Sequence, residues 1–97
     1  MLKDRRLLNQ TEIDKFLNKN KKWNFVKDGI ERNLKFNSYM DSISFINKIA
    51  VKAEELNHHP DMNIGWCNIN IRFTTHDLNG LSNYDLKMAE ATNKISG

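Results

Sequence analysis

The sequence predicts one α+β domain over residues 1–97, an antiparallel β-sheet with three α-helices packed on one face in the order α-β-β-α-β-(β)-α. Three observations carry this expectation. Apolar residues recur at helical spacing behind capping residues in three separate stretches, and apolar and polar residues alternate in two others. The third is size: a chain of 97 residues that is 39% hydrophobic buries roughly 60–70% of the surface its unfolded form exposes, enough for one core and not two.

Asn9 and Glu12 have capping-box spacing, with Ile13, Phe16 and Leu17 behind them, which predicts a helix over about residues 10–20. The aromatic run Trp23 to Val26, the Asp28-Gly29 turn signal and the alternating run Ile30 to Phe36 predict a hairpin. Ser38 offers the next N-cap, with Asp41 three residues on. Tyr39, Ile43, Ile46, Ala50 and Ala53 then form an apolar stripe flanked by Met40 and Ile49, and the helix should run to about Asn57 because Pro60 cannot continue it. From Trp66 the side chains sort by parity, with Cys67, Ile69, Ile71 and Phe73 apolar, so a strand with one buried face is expected and Cys67 is expected in the core. The stretch 63–75 is either one long strand or two pieces broken between Gly65 and Asn68. After a loop at Gly80, Ser82 and Asp85 repeat the capping spacing ahead of a last helix carrying Leu86, Ala89 and Ile95.

Composition narrows the function classes. The longest apolar run is Ile49-Ala50-Val51, far short of the ~20 residues of a membrane span, and the charged start has no apolar segment behind it, so a cytoplasmic location is expected. A single cysteine, Cys67, rules out an internal disulfide. Stability must come from packing, and subunit association is a common supplement in chains this small. Residues 1–40 hold ten Lys and Arg against five Asp and Glu, and Lys19, Lys21 and Lys22 lie beside Trp23. A net charge of +3 is nevertheless a weak footprint for nucleic-acid binding, and lysines at a helix end also complement its dipole.

The three histidines, His58, His59 and His76, all fall at element ends outside the apolar stripes. Glu54 precedes His58 by one helical turn, where a carboxylate orients an imidazole for acid–base work; the alternative is a histidine that only caps the helix. A metal site drawing on the histidines, Cys67 and Asp61 is not favoured, since adjacent histidines on extended chain point to opposite sides.

Glu54, His58-His59-Pro60, Trp66, His76 and Asp85, with Gly80-Leu81-Ser82 ahead of the last, form a series of fixed spacing. The series resembles the signature of the pterin-4a-carbinolamine dehydratases, and the resemblance extends over almost the whole chain. It implies a metal-free elimination of water from a 4a-hydroxytetrahydropterin, with the pterin as substrate and no further cofactor. By this resemblance His58 and His76 are the acid–base pair, His59 helps hold the pterin, and Glu54, Asn57 and Pro60 support the cluster. Trp66 either walls the pocket or belongs to core or interface; Asp85 either lies near the site or caps the last helix. Asn57 stands where family members often carry Asp, and Asn83 and Tyr84 stand at positions frequently charged. The resemblance also implies a homodimer or homotetramer and a functional link to a pterin-dependent aromatic amino-acid hydroxylase, without membrane or direct nucleic-acid binding. Animal members additionally serve as dimerisation cofactors of a transcription factor, which makes a non-catalytic interaction module the alternative. A straight strand over 63–75 would span about 40 Å at ~3.3 Å per residue and carry His76 away from His58. The chain is therefore expected to double back and bring both into one cavity.

Overall fold

The computed structural model describes residues 4–96. Helix α1 (Gln10–Lys19) is followed by strands β1 (Asn24–Val26) and β2 (Gly29–Lys35), helix α2 (Tyr39–Leu56), strands β3 (Asp61–Gly65) and β4 (Asn68–Phe73), a 3-10 turn (His76–Leu78) and helix α3 (Asn83–Ser96). The strands form one antiparallel sheet in the order β1-β2-β4-β3. The α+β class and the element order match the expectation, with the optional fourth strand present.

Register assigns the two faces of the sheet. Ile30 pairs with Phe73, Arg32 with Ile71 and Leu34 with Ile69, so these side chains share the face that the helices cover. Ile30, Ile69, Ile71 and Phe73 are wholly buried there with Ile49 of α2 and Met88 and Ala89 of α3. Trp23 lies between Phe16 and Phe73, at ring-centroid distances of 6.4 and 6.0 Å, and so ties α1 to the sheet. The other face is polar: Asn70 donates to Asn33 and Arg72 pairs with Glu31. Among the described residues no helix is long and apolar enough to cross a membrane.

The stretch 63–75 takes its two-piece form and the first hairpin is present, while two local expectations need correction, the core placement of Cys67 and the apolar stripe of α2. Trp66 and Cys67 form a two-residue turn between β3 and β4, because Gly65 pairs with Asn68. Cys67 has φ 65° and is half-buried, so it is a turn residue rather than a core residue, and the buried alternation begins at Ile69. The β1–β2 turn is Lys27-Asp28, both at positive φ as a type I′ hairpin requires. Gly29 opens β2, where a Cβ would lie 2.5 Å from the Arg72 guanidinium, and that guanidinium donates to the carbonyls of Val26 and Lys27 at 2.6 Å. On α2 the buried residues are Ser42, Phe45, Ile49 and Ala53, while Tyr39 and Ala50 are exposed. Apolar residues ring more than half of this helix, so spacing alone selects a stripe rotated from the one that packs.

The N-terminal segment is anchored where capping spacing places it. Asn9 Oδ1 accepts from Glu12 N–H and Glu12 accepts from Asn9 N–H, while Arg6 donates to both Glu12 oxygens. These contacts, the Arg6 hydrogen bonds first, pull the Glu12 pKa from its ordinary 4.5 down to about 2. A depressed carboxylate stabilises the folded chain fully above the unfolded value and loses that contribution as pH falls through the folded value. Glu12→Gln should therefore flatten the stability–pH curve between about pH 4.5 and 2 and leave its shape above that range unchanged, as read by urea midpoints. Phe73→Ala, at a side chain with no exposed surface, should cost about 3–5 kcal/mol in the same titrations.

Candidate active site

Helix α2 ends in a way that sets two imidazoles apart. Asn57 adopts the left-handed conformation (φ 49°, ψ 47°), its N–H bonds to Glu54 O, and His58 N–H reaches back to Ala53 O at 3.0 Å. This is a Schellman motif, and asparagine accepts its left-handed position more readily than most side chains. The reversal turns His58 inward and leaves His59 at the surface. His58 is buried and His59 is exposed.

His58 Nε2 lies 2.5 Å from Asp85 Oδ1 of α3. Asp85 has no exposed surface and takes two more donors on Oδ2, the Thr75 hydroxyl at 2.7 Å and Ser82 N–H at 2.8 Å. Ser82 Oγ in turn accepts from Tyr84 N–H and bonds Thr75 Oγ1. A carboxylate offers only acceptors, so this arrangement assigns the proton of a neutral His58 to Nε2 and leaves Nδ1 with a lone pair. Nδ1 has no partner among the described residues. The Tyr84 ring meets the His58 ring edge to face at 6.2 Å, so packing also restrains the imidazole.

Glu54 does not hold His58. Its Oε2 is 2.5 Å from His59 Nε2, a contact with both side chains largely exposed. The sequence spacing pointed to the residue four positions on, but the left-handed Asn57 shifts the next ring around the helix end. Asp85 accepts from Ser82 N–H at the start of α3 and also lies against His58, so the two placements open to it are not exclusive.

The β3–β4 hairpin returns the chain to the same place. Asp61 pairs with Arg72, which sets His59 beside Thr74 and brings His76 back toward the end of α2. His58, His59 and His76 line one open cavity of about 250 Å³ together with Asn57, Thr74, Thr75, Asp77 and Arg5. The His76 ring is exposed and has no hydrogen bond or ion pair among the described residues. Its turn is held by the Thr75–Gly80 bridge and by Arg5, which donates from Nη1 to Asp77 Oδ1 at 3.0 Å and from Nη2 to Oδ2. The Arg5 hydrogen bonds lower the Asp77 pKa.

Pro60 is half-buried at the entry to β3 and does not line the cavity. Trp66 is 80% exposed at the opposite end of that strand, about 16 Å away at ~3.3 Å per residue, so it is not a wall of this cavity within the subunit. Four larger cavities, of about 610, 550, 350 and 330 Å³, are lined by no histidine, so chemistry rather than volume selects the site. Among the described residues no group of three or more His, Cys, Asp and Glu side chains could hold a metal ion. Sequence reasoning missed Arg5, Thr75 and Asp77. The Ser82 spacing pointed to a helix cap and not to the site, while nothing local marks an arginine 72 residues from its partner.

The family described as Pterin 4 alpha carbinolamine dehydratase matches residues 6–95. A Prochlorococcus marinus protein named "Putative pterin-4-alpha-carbinolamine dehydratase" is 33% identical over 89 residues, covering 92% of this chain and 94% of its own. A Picosynechococcus protein of the same name is 37% identical over 82 residues, covering 84% and 89%. A crystal structure described as a transcriptional coactivator/pterin dehydratase from Brucella melitensis superposes with a TM-score of 0.90 at 30% identity, over 95% of this chain and 100% of that one. Matched along nearly its full described length by sequence and by fold, the chain belongs to the pterin-4a-carbinolamine dehydratase family.

Proposed function

We propose that the chain dehydrates 4a-hydroxytetrahydropterins to quinonoid dihydropterins by histidine acid–base catalysis. The observation that supports this most directly is the convergence of His58, His59 and His76 on one cavity, with His58 backed by a buried carboxylate. In the elimination the C4a–O bond breaks, the leaving hydroxyl gains a proton and departs as water, and N5 loses its proton as the C4a–N5 double bond forms. Imidazole suits both transfers, with an unperturbed pKa of about 6.5.

His58 and His76 divide the work according to their surroundings. Asp85 holds His58 in one tautomer and one orientation, which presents Nδ1 as the fixed acceptor for the N5 proton. His76, exposed and unpaired, exchanges protons with water and protonates the leaving hydroxyl. His59, held by Glu54, contributes a ring nitrogen at the rim for positioning the pterin. Arg5 fixes the turn that carries His76.

A homo-oligomer accompanies this reading. Ile64 and Trp66 are exposed on edge strand β3 and its turn, and Met40 and Val51 are exposed on α2, all apolar surface suited to self-association. The same surface, and the coactivator description of the Brucella relative, favour a second reading in which the fold serves association alone.

A coupled assay separates the two. A pterin-dependent hydroxylase generates the carbinolamine, and added protein should accelerate its dehydration beyond the spontaneous rate; no acceleration at any pH near neutrality would leave the interaction module. His58→Ala and His76→Ala should each lower kcat by about 10²–10⁴-fold in protein that stays folded by circular dichroism at assay temperature, with Tm lowered for His58→Ala, which leaves Asp85 buried without its imidazole, and unchanged for His76→Ala. Dialysis against a chelator should leave turnover intact, whereas loss restored by zinc would transfer the chemistry to a metal.

A further inference from the structure

The cavity of about 550 Å³ beside the C-terminal ends of α1 and α3 has a lining charged with one sign only among the described residues. Lys19, Lys21, Lys22 and Arg32 line it along with Trp23 and Asn93, and no Asp or Glu does so among the described residues. Those four cations exceed the +3 net charge of the whole chain, so every other formal charge sums to −1.

Arg32 is the anomaly at its centre. It occupies the helix-covered face of β2, between Ile30 and Leu34 and opposite Ile71, a position the alternation reserves for an apolar residue. A charge placed against that rule is costly unless something compensates it. Arg32 has no carboxylate partner among the described residues, and of its five N–H groups one is engaged: Nη1 donates to Asn93 Oδ1 at 2.5 Å, while Nε is buried without any acceptor. Burial pulls the guanidinium pKa below its ordinary value. The group cannot turn aside easily, because Asn93 Oδ1 also accepts from Trp23 Nε1 and Asn93 Nδ2 donates to Asn20. The negative ends of the α1 and α3 dipoles both face the cavity, and they favour Lys19 and Arg32 there, but a partial charge at a helix end leaves the buried Nε without an acceptor.

We propose that this cavity is a binding site for a small di- or triphosphate anion. A guanidinium fork with several ammonium groups is the donor set that phosphate oxygens require, and four cations suit a polyanion better than a single carboxylate. Trp23 is 3% exposed and presents no open ring face, so the site lacks the stacking platform that single-stranded nucleic acids use. The site shares no lining residue with the histidine cavity and stands independently of the dehydratase reading.

Calorimetric titration of the full chain with inorganic pyrophosphate, at ionic strength held constant with chloride, tests this. The proposal expects saturable one-site binding and a matching rise in Tm. Lys21→Gln with Lys22→Gln, both exposed, should weaken binding by about tenfold without changing the anion-free Tm. Asn93→Asp, which sets a carboxylate against Arg32 at the loss of the hydrogen bond to Asn20, should weaken pyrophosphate by a similar factor. ATP binding as tightly as pyrophosphate would identify the phosphate chain as the recognised group, whether free or esterified. Absence of saturable binding, affinity undiminished in both variants, or tighter binding of a short single-stranded oligonucleotide than of pyrophosphate would overturn the proposal.

Discussion

The hydrogen bond between His58 and Asp85 joins two helix ends that the sheet alone would leave independent. Both side chains are buried, and a buried carboxylate is tolerable only when its acceptors are satisfied. Asp85 meets that condition with Thr75 from the end of β4 and Ser82 from the start of α3. One carboxylate therefore ties the last turn of α2, the chain leaving the sheet and the first turn of α3 to a single point. The Ser82 N–H it accepts is one of the donors a helix start leaves unpaired, so the group that orients the imidazole is also the one that caps the helix.

Sheet register supplies the second constraint. The two-residue turn at Trp66-Cys67 makes β3 and β4 neighbours, and their pairing returns the chain to the end of α2. The two histidines proposed to act as acid and base then reach one cavity by different routes and under different restraint. His58 is locked by a buried network; His76 rides on a short 3-10 turn fastened by a bridge and an exposed ion pair. A proton acceptor benefits from fixed orientation, whereas a group that must be reprotonated between turnovers benefits from contact with water. The proposed division of roles rests on this asymmetry in burial.

Elements with strong local signals were legible in the sequence. Asn9 with Glu12 and Ser38 with Asp41 mark helix starts that the structure keeps, and parity from Ile69 to Phe73 marks the buried face of β4. The histidines at element ends were legible for the same reason, since they fall outside every apolar stripe. What stayed hidden depends on a single residue's backbone angle or on distant partners. Cys67 shares the parity of Ile69 and still leaves the core because its φ is positive. Glu54 has the right spacing for His58 and still meets His59, because Asn57 reverses the helix. Arg5 joins the site through a contact with Asp77 that no window of neighbouring residues contains.

Asn57 shows how geometry and charge separate at this site. Its position demands left-handed backbone, which asparagine and aspartate both tolerate while most side chains do not. The Schellman bonds that turn His58 inward use only the backbone N–H groups of residues 57 and 58, so they do not depend on which of the two side chains is present. Replacing the Asp that family members often carry with Asn thus preserves the path of the chain, the burial of His58 and its pairing with Asp85. What changes is the field: one negative charge is absent from the wall of a cavity that contains Arg5 and three imidazoles. That charge would act across a cavity open to water, where screening weakens it, whereas Asp85 acts at 2.5 Å behind a buried ring. The carboxylate that the chain keeps is therefore the one whose contact sets the tautomer, and the one it lacks bears on the electrostatics of the cavity and not on the placement of His58.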